Sequence, residues 1–166
     1  MLEIFVVAIV PALVVVAAVS DLMTMTIPNR LVLALTVAFF PAAYLAGFSP
    51  AEVGWHALAG LLVLAVGFVL FAPGWIGGGD AKLAAALALW LGFEPLLAWF
   101  VAFAILGGAL TFATLFYRRS ALPVRFAGVD WIARLHHPKT GVPYGIALAA
   151  GTLALWPQTA WFAHLG

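Results

Sequence analysis

Gly77-Gly78-Gly79-Asp80-Ala81-Lys82 decides how this chain is read, because it is a glycine run ending in an acid at the mouth of an almost wholly apolar helix. An ionised carboxylate beside hydrocarbon costs roughly 2.5 to 3.5 kcal/mol even on a lenient insertion scale, so Asp80 asks for a function. The first apolar segment ends in Ser20-Asp21, and Asp21 is the other carboxylate that closes a long apolar run on the same side. The two acids read as a pair.

Of the 166 residues, 66% are apolar and 8% charged, and the mean hydropathy is +1.18. That composition belongs to an integral membrane protein, and the long apolar runs predict an all-α fold. No polar linker, low-complexity tract or repeat divides the chain, so residues 1-166 are expected to form a single membrane-embedded domain. With no cysteine, disulfides, thiolate zinc sites and cysteine nucleophiles are excluded.

Six spans are predicted: about 2–20, 29–47, 55–71, 81–91, 96–117 and 142–162. The first lacks the basic leading region of a removable signal peptide. Between the first two, Thr24, Thr26 and Pro28 suit a turn and a new helix start. The fourth run is short: Asp80 to Glu94 covers about 21 Å at about 1.5 Å per residue, against a hydrocarbon core of about 30 Å. Asp80 is therefore expected below the near surface, where irregular glycine-rich backbone is tolerated only if packed in protein or lining a watery cavity. Every Lys and Arg falls in or beside the 1-2, 3-4 and 5-6 connections. The positive-inside rule puts those connections in the cytoplasm and both termini outside, which brings Asp21 and Asp80 to the cytoplasmic side. Within the basic 5-6 connection, Phe126, Val129, Trp131, Ile132 and Leu135 would form the apolar face of a short interfacial helix. Trp156 and Trp161 are read as interfacial anchors of the last span.

Two carboxyl groups held close together cannot both ionise cheaply, so one keeps a proton while the other acts as base toward water. This is the apparatus for hydrolysing a peptide bond without a metal or covalent intermediate, and glycines before Asp80 would let an extended substrate approach. Paired acids also carry protons or ions in transporters, so a small proton- or ion-coupled transporter stands as the alternative. Transporters of that kind favour inverted repeats, and none is visible. Lys82 is about 200° around the helix from Asp80, which leaves substrate or loop contact and simple snorkelling both open. His136-His137 lacks the spacing of a metal motif and reads as solvated loop; no metal or other cofactor is expected. Gly107-Gly108 and Gly145 with Gly151 read as close helix-packing positions.

The D-x-x-T-x-x-I-P-N pattern from Asp21 to Asn29 and the G-G-G-D-A-K-L run at 77 to 83 resemble the two signature segments of the type IV prepilin peptidases, within the GxGD class of membrane aspartyl proteases. Val142-Pro143-Tyr144-Gly145-Ile146-Ala147 is similar to the opening of that family's last helix. The likeness is greatest to the short peptidases of tight-adherence (Flp-type) pilus systems, called TadV or CpaA. The resemblance implies that Asp21 and Asp80 are the catalytic dyad, with Gly77, Gly78, Gly79, Lys82, Pro28, Asn29, Pro143 and Gly145 binding substrate or shaping its loops. It implies a pilin-like precursor with a short basic leader before an apolar helix, cut at the cytoplasmic face of a bacterial inner membrane. Membrane lipids are the other expected partner, and no nucleic acid is. The larger bifunctional members carry an added N-terminal part with cysteine pairs and N-methylate the new terminus; no such segment is expected here.

Overall fold

The computed structural model describes residues 1–165, apart from the side chains of Val124, Ala127 and Leu165. Among the described residues every regular element is helical. Helix α1 runs Leu2–Thr24 with a π-helical stretch at Phe5–Ile9. It is followed by α2 (Asn29–Leu45), α3 (Pro50–Phe71), α4 (Gly78–Leu91) and α5 (Leu96–Arg119). The basic connection holds two short helices, α6 (Val124–Ala127) and α7 (Asp130–His136), before α8 (Gly145–Leu155) and α9 (Ala160–Leu165). By length and composition α1, α3 and α5 are each able to cross a membrane, whereas α2 has 17 residues and α4 only 14.

Helix α4 is the axis of the bundle. Most side chains from Ala81 to Leu91 are buried, although the helix is about 21 Å long at about 1.5 Å per residue. It packs along α3, and the contact is close because α3 presents glycine. A Cβ on Gly60 would lie 3.1 Å from Leu89 Cβ, and one on Gly67 would lie 3.0 Å from Ala81 Cβ. Small residues at such crossings let helix backbones approach where no water drives them together. Outside this axis α8 packs against both α1 and α5, and the lipid-facing sides carry exposed Leu61, Val69, Leu97, Ile105 and Phe112.

The last four carbonyls of a helix have no partner within it, and α4 ends in the apolar interior. His56 Nδ1–H donates to Leu89 O (2.8 Å) and Trp161 Nε1–H to Trp90 O (2.8 Å), while Gly92 N–H reaches Ala88 O (2.9 Å). This explains where the structure departs from the single last span expected over 142–162. The chain breaks at a 3-10 turn, Trp156–Gln158, whose Pro157 has no N–H to continue the ladder. The break turns α9 inward, so Trp156 and Trp161 are buried rather than interfacial, with Trp156 Nε1–H donating to Val6 O at 3.2 Å. Helix α3 also starts a turn before the expected Trp55. Ser49 and Glu52 form a reciprocal cap there: Ser49 N–H donates to Glu52 Oε2 (2.7 Å), Glu52 N–H donates to Ser49 Oγ (3.3 Å), and Pro50 opens the helix.

Candidate active site

The two acid-bearing segments meet at the end of the bundle where the basic residues gather. Helix α1 stops because Met25 takes a left-handed conformation (φ 55°), its N–H donating to Asp21 O at 2.7 Å. Hydroxyl groups brace the following turn. Ser20 Oγ donates to Thr26 O (2.9 Å), and Thr24 Oγ1 donates to Ser20 O (2.8 Å). Pro28, extended at ψ 127°, then delivers Asn29 as the first residue of α2. The turn lays buried Ile27 on the glycine run: a Cβ on Gly79 would lie 3.4 Å from Ile27 Cβ. Gly77 is tighter, because a Cβ there would sit 2.7 Å from Asp80 Oδ2.

Asp21 and Asp80 line one cleft of about 270 Å³ together with Met25, Thr26, Ile27, Asn29 and Gly77 to Gly79. Asp21 is 6% exposed, and its Oδ2 accepts the backbone N–H of Gly145 at 2.8 Å. That contact requires glycine, since a Cβ on Gly145 would lie 2.9 Å from the same oxygen. Pro143, buried just before the N-cap of α8, sets the start of the helix that supplies this donor. Asp80 Oδ1 is buried with no hydrogen-bond partner among the described residues. A lone buried carboxyl oxygen is unfavourable unless a proton, a water or a ligand engages it.

Asp80 also borders a second, larger cavity. An apolar groove of about 440 Å³ runs from it between α3, α5 and α8, lined by Val63, Leu70, Phe100, Phe103, Tyr144 and Leu148 among others. The acid thus stands where a polar cleft joins an apolar groove. Tyr144 is fixed in the groove wall: its Oη and Thr111 Oγ1 are hydrogen-bonded at 2.8 Å, and its ring fills the space a Gly107 Cβ would take (3.1 Å). Tyr144 belongs to the 142–147 stretch but is not among the expected site residues, and Thr111 stands in no motif, because a bond between separate helices leaves no pattern in the chain.

Lys82 turns away from Asp80, and its Nζ donates to Asn29 Oδ1 at 3.1 Å. Gly145 is more than a packing position, because it supplies the donor to Asp21. His136 Nε2–H donates to Ser120 O (2.7 Å) and His137 Nδ1 accepts Lys139 N–H (3.2 Å), so the two rings serve loop backbone. Among the described residues no three His, Cys, Asp or Glu side chains are grouped to hold a metal. The connection is tied down by Arg118, which donates to Leu135 O (2.8 Å), Thr140 O (2.9 Å) and Gly141 O (2.8 Å), and by Arg134, which donates to Met23 O (2.6 Å).

The sequence model of the type IV leader peptidase family matches residues 8–112, which include both acids. A prepilin leader peptidase/N-methyltransferase of Bacillus subtilis (strain 168) is 40% identical over 115 residues, covering 66% of this chain and 44% of that protein. The chain therefore spans less than half the length of this relative. No solved structure matches.

Proposed function

The chain belongs to the type IV leader peptidase family, and from that premise we propose that it is an intramembrane aspartic endopeptidase acting on prepilin-like precursors. Asp21 and Asp80 are the catalytic dyad of this reading. The observation that carries it is the position of Asp80, which borders both the cleft shared with Asp21 and the apolar groove, with one buried carboxyl oxygen unpartnered among the described residues. A precursor with a basic leader before an apolar helix has the matching two-part character.

In the mechanism one carboxylate takes a proton from water as its oxygen attacks the scissile carbonyl carbon, and the protonated partner donates to the carbonyl oxygen. Collapse of the tetrahedral intermediate breaks the C–N bond, and a proton passes to the leaving amine. Gly145 N–H holds Asp21 in place for this exchange, and the glycines at 77 to 79 let the peptide backbone come close. Pro28 and Pro143 shape the two loops that deliver Asn29 and Gly145.

The fuller reading is a single domain of six spans in a bacterial inner membrane, termini outside and cleft at the cytoplasmic face. Its support is the charge distribution: Arg30, Lys82 and the five Lys and Arg residues of 118–139 lie in or beside the connections at the cleft end, while Glu52 and His164 pair at the other (3.2 Å). Anionic lipid would favour that placement of positive charge.

The test is reconstitution of the purified protein in vesicles with a precursor that carries a basic leader and an apolar helix. A single cut at the leader–helix boundary, read by the mass of the released leader, is the expected result. An intact precursor, with proton or cation flux through the same vesicles, would instead favour the transporter.

A further inference from the structure

We infer that Asn29 is a hydrogen-bond donor to the substrate backbone and that Lys82 sets the direction in which it donates; this deepens the peptidase reading and rests on it. Lys82 leaves α4 at the edge of an apolar pocket that Val32, Ala85 and Ala86 also line, and its ammonium donates to Asn29 Oδ1 at 3.1 Å. An ammonium has three donors and no acceptor, so the end of the amide that meets it must be the oxygen. The Asn29 NH2 therefore faces away from Lys82, and it makes no hydrogen bond among the described residues. Asn29 itself lines the cleft with Asp21 and Asp80.

Among the side chains that line this cleft, donors are scarce. Ionised carboxylates only accept, a protonated one offers a single O–H, Met25 and Ile27 offer none, and the Thr26 hydroxyl is engaged with Thr24 Oγ1 at 2.6 Å. A peptide entering between the two acids brings carbonyl oxygens that need donors, the scissile one most of all as it gains negative charge. The amide of Asn29 is a side-chain donor that stays charge-neutral and so does not disturb the proton shared by the acids. Asn29 thus contacts substrate, and Lys82 is a positioning residue acting through it.

The experiment compares cleavage of a membrane-inserted precursor, with a basic leader and an apolar helix, by Asn29→Ala, Lys82→Arg, Lys82→Glu and the Asn29→Ala/Lys82→Glu double variant. Rates are normalised to inserted protein, and thermal stability in detergent is followed in parallel. Asn29→Ala should lower kcat/KM by about 100- to 1000-fold, mostly through kcat, as the loss of one donor to a developing oxyanion does. Guanidinium is also donor-only, so Lys82→Arg should stay within about threefold of the parent. Glutamate accepts only and would draw the NH2 toward itself, so Lys82→Glu should fall as far as Asn29→Ala. Because both act through one amide, the double variant should be within about threefold of Asn29→Ala. Asn29→Ala within about twofold of the parent, Lys82→Glu as active as Lys82→Arg, or losses that multiply in the double variant would each overturn the inference. Asp21→Asn and Asp80→Asn are measured alongside. If they are silent while Asn29→Ala cleaves normally, only this inference fails; if they cleave normally, the dyad itself fails.

Discussion

Replacing Gly145 with alanine tests whether the backbone donor to Asp21 matters for chemistry rather than for folding. The new Cβ would lie 2.9 Å from Asp21 Oδ2, 3.0 Å from its Cβ and 3.2 Å from its Cγ. Ordinary carbon contacts are about 3.5 Å or more, so the aspartate must retreat by a few tenths of an ångström. That stretches a 2.8 Å hydrogen bond toward the limit of useful geometry. A hydrogen bond to a charged group contributes about 1.5–3 kcal/mol, which at about 1.4 kcal/mol per decade is roughly a 10- to 150-fold loss in kcat/KM. Opposing this, alanine is the better helix former by up to about 1 kcal/mol, so the thermal midpoint should change little. The assay is precursor cleavage by purified Gly145→Ala in detergent, with Gly151→Ala as control, since its Cβ would find Phe103 N at an ordinary 3.4 Å. Parental activity in Gly145→Ala, or equal losses in both variants, would refute the reasoning.

Gly92 combines φ +76° and ψ −176°, a region open almost only to glycine, with the His56 ring 2.8 Å from where a Cβ would be. Gly92→Ala should therefore destabilise the protein by more than the roughly 1–3 kcal/mol of backbone strain alone, whereas Gly74→Ala (φ +81°, open space) should show only the strain; thermal midpoints in detergent compare them. A cysteine introduced at exposed Ser120 should react with a membrane-impermeant reagent only from the cytoplasmic side, and labelling from outside would invert the proposed topology.

Much of the arrangement follows from features visible in the chain. Acids at the ends of apolar runs, a glycine run before one of them and a Thr/Pro turn after the other are patterns within single segments. The structure brings both segments to one cleft. What was not legible depends on the ends of helices meeting in three dimensions. The split of the last span follows from the unpaired carbonyls of Leu89 and Trp90, which draw in His56 and Trp161. No periodicity encodes that need. The donor role of Gly145 was hidden for the same reason, because a glycine at a helix start looks like a packing position until Asp21 is placed against it. The start of α3 was different: Ser49, Pro50 and Glu52 spell a capping box in plain sequence, and hydropathy alone overlooked it.

The most direct test of the central claim is conversion of precursor to product by Asp21→Asn, Asp80→Asn and Asp130→Asn at matched amounts of inserted protein. Asparagine keeps the size of each side chain and removes one carboxyl from the proton exchange. Removing an acid from a partly buried site should not impair insertion. Asp130 lies exposed in the first turn of α7 and serves as the comparison. The account predicts no detectable product from Asp21→Asn or Asp80→Asn and most of the parental activity from Asp130→Asn. Processing near the parental rate by either of the first two would contradict it.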